Sequence, residues 1–223
     1  MFEWAFRGAD FIVHENGEAG SAVNYRTVEL PGGGRVRVGI VSGSWTLPVA
    51  RGRGHFSRIL EESREIAWSR GAAMLLSFVT ATNASRRRVE ASGATMVPAF
   101  YCRGTGRIAH VAPPAPSARF VYTETEWRMQ FLERPRPTKQ LRTDAWAAVI
   151  EEADGINRVH FIDGDFAAAI SALGRLFCYT TIPSRARALA DAGFEIIDGF
   201  VGVMPIRGHA AVSEWDIQNG DRM

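Results

Sequence analysis

Two glycines, Gly52 and Gly54, stand where an apolar run ending in Thr46-Leu47-Pro48 passes through Arg51-Gly52-Arg53-Gly54 into a segment of helical periodicity. Such a junction commits the chain to a strand, a tight turn and a helix that packs back on the strand, since the apolar period switches there from 2 to 3.6. Phe56, Ile59, Leu60, Ile66 and Ala67 carry the helical stripe over residues 54–69, and Arg58, Glu61, Glu62, Arg64 and Glu65 fill the opposite side. Glycines at this point let successive backbone N–H groups converge beside a helix N-terminus, a seat that suits the diffuse negative charge of a pyrophosphate.

The flanking sequence completes an alternating pattern. Residues 11–15 and 22–30 read as strands around an Asn16-Gly17 turn, Pro31-Gly32-Gly33-Gly34 breaks the chain, and a long strand over 35–47 delivers the glycine turn. Beyond the helix come a continuous apolar run over 73–79, an Arg-rich helix over 83–92 closed by Gly93, and a strand over 96–102. The order is β-β-β-α-β-α-β. Pro113-Pro114-Ala115-Pro116 favours an extended spacer. We therefore expect a first lobe over 1–106, a linker over 107–118, a second lobe over 119–206 and a C-terminal tail over 207–223.

The second lobe repeats the element order of the first: strand 119–122, a short helix bearing Trp127, Met129 and Phe131, a hairpin of 145–152 and 156–162 around Asp154-Gly155, helix 166–173, strand 176–180, helix 184–192 and strand 194–204. Ser85-Arg86-Arg87-Arg88-Val89-Glu90-Ala91-Ser92-Gly93 is echoed by Ser184-Arg185-Ala186-Arg187-Ala188-Leu189-Ala190-Asp191-Ala192-Gly193, a domain-sized period that points to a duplication. The copies differ at the turn. Ile162-Asp163-Gly164-Asp165 puts two carboxylates at the mouth of its helix, which favour the helix dipole and repel a phosphate. Only the first lobe is expected to hold a nucleotide.

Composition excludes several classes. The 223 residues, 46% of them hydrophobic, suffice for a sizeable core. No run approaches the roughly 18 apolar residues of a membrane span, and Glu3, Arg7 and Asp10 occupy the place of a signal-peptide core, so a cytoplasmic protein without a membrane partner is expected. A net charge of +2 gives no indication of nucleic acid and does not exclude it. Cys102 and Cys178 lie in apolar runs without ligand spacing, so core thiols are expected, with neither a disulfide framework nor a metal site. The Arg86-Arg87-Arg88 run reads either as a solvated helix face or as a phosphate contact.

Leu47 to Leu60, with Arg51-Gly52-Arg53-Gly54 at its centre, resembles motif A of the GCN5-related N-acetyltransferases, and the strand over 74–79 with Asn83, Ser85 and Gly93 is similar to their fifth strand and following helix. The likeness covers residues 35–103 in detail and the second half by pattern. It implies an α/β (α+β) fold, a mixed and mainly antiparallel sheet flanked by helices, duplicated here. It implies acetyl-CoA as donor and a small-molecule or peptide amine as acceptor, in a monomer or homodimer. The N–H groups of Arg51, Gly52, Arg53, Gly54, His55, Phe56 and Ser57 would bind the pyrophosphate. The backbone of Thr46 and Leu47 would pair with the pantetheine arm, and Asn83 would hydrogen-bond its amide. A backbone N–H near Leu47 would serve the oxyanion, Tyr101 the departing thiolate and Glu29 the amine's proton. Two departures stand out: Phe56 occupies a position where a small residue is usual, and Val89 replaces the usual helix tyrosine. A non-catalytic acyl-CoA-binding module is the alternative that the missing helix tyrosine and the lack of a compelling base favour. A transferase using aminoacyl-tRNA on the same duplicated fold is another, and the intact glycine loop argues against it.

Overall fold

The computed structural model describes residues 2–222 and divides into two compact units, one of 2–97 with 200–213 and one of 98–199 with 214–222. The division falls inside two strands, and the Pro-rich stretch around Pro113–Pro116 belongs wholly to the second unit. In chain order the elements are α1 (Phe2–Ala5), β1 (Asp10–His14), β2 (Ala19–Glu29), β3 (Arg35–Thr46), α2 (His55–Ser69), β4 (Ala72–Thr80), α3 (Arg86–Ala91) and β5 (Thr95–Gly104). There follow β6 (Ala118–Val121), α4 (Glu124–Trp127), β7 (Lys139–Arg142), β8 (Trp146–Ala153), β9 (Ile156–Gly164), α5 (Phe166–Leu173), β10 (Leu176–Thr180), α6 (Pro183–Asp191), β11 (Glu195–Pro205) and β12 (Trp215–Asp216). Among the described residues no helix is long and apolar enough to cross a membrane.

In the first unit β1, β2 and β3 pair antiparallel and β4 joins β3 parallel, the α2 crossover lying between the last two. Helix α2 forms because His55, Ile59, Leu60, Ser63 and Ala67 make one buried stripe. That stripe packs with Val23, Val41, Leu75, Val79 and Met204 into a single core. Gly39 in β3 is required by close approach, since a Cβ there would lie 3.2 Å from the Ala67 Cβ of α2 and 3.0 Å from Leu75. The Arg-rich helix is shorter than the sequence suggests, six residues from Arg86, because Asn83 Oδ1 caps Ser85 and turns the preceding residues out of the helix.

In the second unit β7, β8 and β9 form an antiparallel meander, β10 runs parallel to β9 after the α5 crossover, and β5 pairs antiparallel with β10. The antiparallel β5–β10 register sets Cys102 opposite Cys178, where both are buried free thiols; their mutual contact and burial push the Cys178 thiol up. Trp127 and Phe131 join Tyr122 and Phe161 in an aromatic cluster of this same unit. The stretch 214–222, within the expected C-terminal tail, contributes buried residues: Trp215 and Ile217 are buried and β12 pairs with β6. Its two bulky apolar residues are too short a run to show helical or strand periodicity, so their burial is not legible from residue order.

A buried polar cluster in this unit has a pH consequence. His160 Nε2 lies 3.4 Å from Glu151 Oε2, and Arg136 and Arg158 approach Glu151 Oε1 at 3.5 and 3.7 Å. Burial first, and then the charge of Arg134, hold His160 down to about 4 from its usual 6.5. The native state keeps this ring neutral while the unfolded chain takes up a proton below 6.5. Its stabilisation is therefore complete above 6.5 and is lost as pH falls toward 4, by up to about 1.4 kcal/mol per pH unit. Urea unfolding of wild type and His160→Gln at pH 7 and pH 5 is expected to show the smaller acid loss in the variant.

Candidate active site

Strands β3 and β4 diverge. Their parallel register runs from Arg37↔Ala72 to Val41↔Ser77, whereas β3 continues to Thr46 and β4 to Thr80. The gap between them is a cleft of about 640 Å3, whose lining comes wholly from the first unit and includes Ser42, Ser44, Thr46 and Ser77. Across β3 the Ala19↔Thr46 pair is followed by the Leu47 N–H donating to Glu18 O at 2.8 Å. That bond makes Ala19↔Thr46 a non-hydrogen-bonded pair, so Thr46 turns its own N–H and C=O away from β2 and into the cleft. Leu47, whose N–H was expected to serve an oxyanion, has already committed it to Glu18.

A bulge shapes the inner end. Between Gly20↔Trp45 and Ala22↔Ser42, β2 advances two residues and β3 three, with Gly43 at φ +60°. Gly43 cannot be replaced, because a Cβ there would stand 2.6 Å from the Phe6 ring as well as in the left-handed region. Ser42 then meets Asn24, which donates from Nδ2 to Ser42 Oγ at 2.7 Å, and Ser44 meets Ser21 with the hydroxyls 2.8 Å apart. Asn24 and Ser21 lie on opposite faces of β2, so the bulge has turned Ser42 and Ser44 to opposite faces as well. Asn24 and Ser21 are themselves buried.

At the outer end the chain makes a 3-10 turn over Pro48–Ala50 and enters α2 through Gly52 at φ +81° and Gly54 at φ +77°. A Cβ on either glycine would meet nothing within 4 Å, so the requirement is one of backbone conformation alone. Gly54 is the N-cap and supplies no side chain, which leaves the first-turn N–H groups of α2 without a side-chain cap. The expected cradle loses its first member, because the Arg51 N–H donates to Pro48 O at 3.3 Å. The Arg51 side chain lines the cleft instead, as do Phe56 and Arg88, while Arg53 pairs with Glu18 at 3.4 Å. Phe56 packs against the core cluster as a wall of the cleft. His55 turns inward, buried beside His14 with ring centroids 5.8 Å apart. Ser57 stands in the first turn of α2, partly exposed. Asn83 lines the cleft, and its Oδ1 accepts from Ser85 N and Oγ at 2.9 and 2.7 Å, so Nδ2 is what it can offer a ligand. Of the arginine run, Arg86 covers the Phe200 ring and Arg88 reaches the cleft.

Neither proposed catalytic side chain is among the residues that line the cleft. Glu29 pairs in register with Arg35 and bridges to it at 3.5 Å, six residues of β3 before Val41 and so roughly 20 Å from the cleft. A strand end reads the same in sequence whichever end of the sheet it meets. Tyr101 belongs to the second unit, where its hydroxyl accepts from Arg222 Nη2 at 3.1 Å and its ring meets Tyr179 edge-on. Sequence reasoning missed the Asn24–Ser42 and Ser21–Ser44 pairs, which only the register brings together. The signal available was Gly43 between two serines in an otherwise apolar strand.

The second unit has a parallel strand pair of its own, with α5 between its strands. Strands β9 and β10 register at Asn157↔Leu176 and Arg158↔Phe177. Farther along, Gln218 bridges to Thr180 and its side-chain amide makes paired bonds with Ile162 N and O at 2.7 and 2.9 Å. Gln218 thus joins the ends of β9 and β10. The helix mouth is occupied by Asp165, whose carboxylate accepts from Ala168 N at 3.0 Å.

No protein-family model and no curated protein matches the sequence. Solved structures do match in fold. A conserved protein of unknown function from Enterococcus faecalis V583 superposes with a TM-score of 0.63 at 12% identity, over 92% of this chain and 64% of its own. The GCN5-related N-acetyltransferase of Kribbella flavida gives 0.56 at 12% identity, over 86% and 59%. That of Sphaerobacter thermophilus gives 0.56 at 14%, over 94% and 86%. This chain has the fold of the GCN5-related N-acetyltransferases, a mixed and mainly antiparallel sheet flanked by helices. It spans less than two thirds of the length of the first two structures.

Proposed function

We propose that this chain is an acyl-CoA-dependent N-acyltransferase, with acetyl-CoA as donor and a small-molecule or peptide amine as acceptor. The observation that carries the reading is the divergence of β3 from β4 beyond Val41↔Ser77, with an uncapped, glycine-entered helix at the outer end of the gap. An extended amide-bearing chain terminated by a diphosphate fits that sequence of features: a strand edge at Thr46, an amide donor at Asn83, then N–H groups from Gly52 to Ser57 with Arg51 and Arg88 beside them. When bound, the thioester supplies an activated acyl carbon. The chain's part is to fix that carbon at the bulge and exclude water. The second unit, with the same βαβ order and with Gln218 joining the ends of β9 and β10, we infer to be a degenerate copy that binds no nucleotide, and the protein to be cytoplasmic.

A second reading has one observation in its favour. Among the described residues that line the cleft there is no Asp, Glu, His, Tyr or Cys, and so no strong base or acid, as would suit an acyl-CoA-binding module without turnover. Two measurements separate the readings. Calorimetry with acetyl-CoA is expected to show binding, and release of free thiol on adding a pool of primary amines is expected to follow. Binding without thiol release supports the module. Stabilisation by tRNA with no heat from acetyl-CoA would overturn both.

A further inference from the structure

Counting hydroxyl hydrogens around the bulge gives the cleft a fixed polarity. Ser21 Oγ donates to the Ser42 carbonyl oxygen at 3.0 Å, which uses its one hydrogen. In the 2.8 Å contact between Ser21 and Ser44, Ser44 must therefore be the donor, and its oxygen faces the cleft with lone pairs only. Ser42 is the reverse. Asn24 Nδ2 donates to Ser42 Oγ at 2.7 Å, so the Ser42 hydroxyl accepts from beneath and retains its own hydrogen for the cleft it lines. Asn24 is 2% exposed and held in the middle of β2, so this orientation is built in before any ligand arrives.

We propose that Ser42 is the hydrogen-bond donor to the acyl oxygen of the bound thioester, with Asn24 as the positioning residue that aims it. This deepens the proposed function and rests on it. No proton leaves Ser42: as the amine nitrogen bonds to the acyl carbon and the carbon–sulfur bond breaks, negative charge rises and falls on the acyl oxygen, and the Ser42 O–H stabilises it throughout. The assignment accounts for a cleft in which Leu47 N–H is already committed and Val89 stands at the family's tyrosine position. It also gives Gly43 a reason beyond the bulge, since without the extra residue Ser42 and Ser44 would share one face and one polarity.

The test uses the full chain and acetyl-CoA labelled with 13C at the carbonyl. Infrared difference spectra are expected to place the bound carbonyl band at lower wavenumber than free acetyl-CoA, and Ser42→Ala is expected to return it toward the free position. Ser42→Thr, which keeps the hydroxyl, restores the shift. Asn24→Asp is the sharper variant: an ionised carboxylate takes the Ser42 hydrogen, so the band moves as in Ser42→Ala although the hydroxyl remains. Calorimetry should find acetyl-CoA affinity within about tenfold of wild type in all three, because one neutral hydrogen bond is exchanged for water. Where thiol release is measurable, Ser42→Ala slows it by about a hundredfold. A carbonyl band at the same frequency in wild type and Ser42→Ala overturns the proposal while leaving acetyl-CoA binding intact. Absence of acetyl-CoA binding by wild type overturns the functional reading itself. Should Asn24→Asp fail to fold, the Ser42→Ala and Ser42→Thr pair decides alone.

Discussion

Gly54→Val is expected to weaken acetyl-CoA binding by about a hundredfold while lowering the melting temperature by only a few degrees. The residue sits at φ +77° as the N-cap of α2, and its replacement meets no neighbouring atom, so the whole effect is conformational. A β-branched residue in the left-handed region costs about 1–3 kcal/mol, which the chain relieves by rotating toward negative φ. That rotation swings the first-turn N–H groups of α2 off their common focus. Charge-assisted bonds of this kind contribute about 1.5–3 kcal/mol each, so disturbing two of them accounts for the loss in affinity. Gly71 is the control, since it lies just past the other end of α2 at φ +74° with equally empty surroundings. Gly71→Val should match Gly54→Val in melting temperature and match wild type in calorimetry. Equal acetyl-CoA affinity in all three proteins would remove the glycine turn from the binding site.

Trp215→Ala carries the largest expected effect on stability. The indole is 1% exposed, packs near Phe120, and its strand completes the edge beside β6. Emptying so large a buried volume costs about 3–5 kcal/mol, against a total of about 5–15 kcal/mol for a typical domain. Deleting residues 214–223 adds the loss of Gln218, whose amide satisfies both polar groups of Ile162, and of Asp221, which accepts from Tyr122 at 2.6 Å. Hydrogen exchange followed by mass spectrometry should show protection lost first in β9 and β10. Native-like protection there after truncation would mean that the segment merely rests on a finished unit.

Much of the path from sequence to site was legible. Helix 166–173 and strand 176–180 stand where their periodicity put them, and α2 begins at residue 55, one position from its expected start, because Gly54 takes the left-handed turn that precedes a helix. Short elements escaped: β7 and β12, of four and two residues, carry too few positions for a period to register, and β12 is held by β6, about a hundred residues away in the chain. The candidate acid and base do not line the cleft for a related reason. Tyr101 and Glu29 were chosen by residue type and by proximity along a strand, whereas strand register decides which end of a sheet a side chain occupies.

Residue order alone determined the alternation of strands and helices, the glycine turn and the acidic counterpart at Asp163 and Asp165, because each depends on backbone preferences acting within a few positions. Tertiary structure decided what the turn serves: where β3 leaves β4, which N–H groups are already spent on Pro48 and Glu18, and how one extra residue at Gly43 sets two serines to opposite polarity. Those are properties of pairing between segments far apart in the chain, and a hydrogen bond has no meaning until both of its partners have been brought into place.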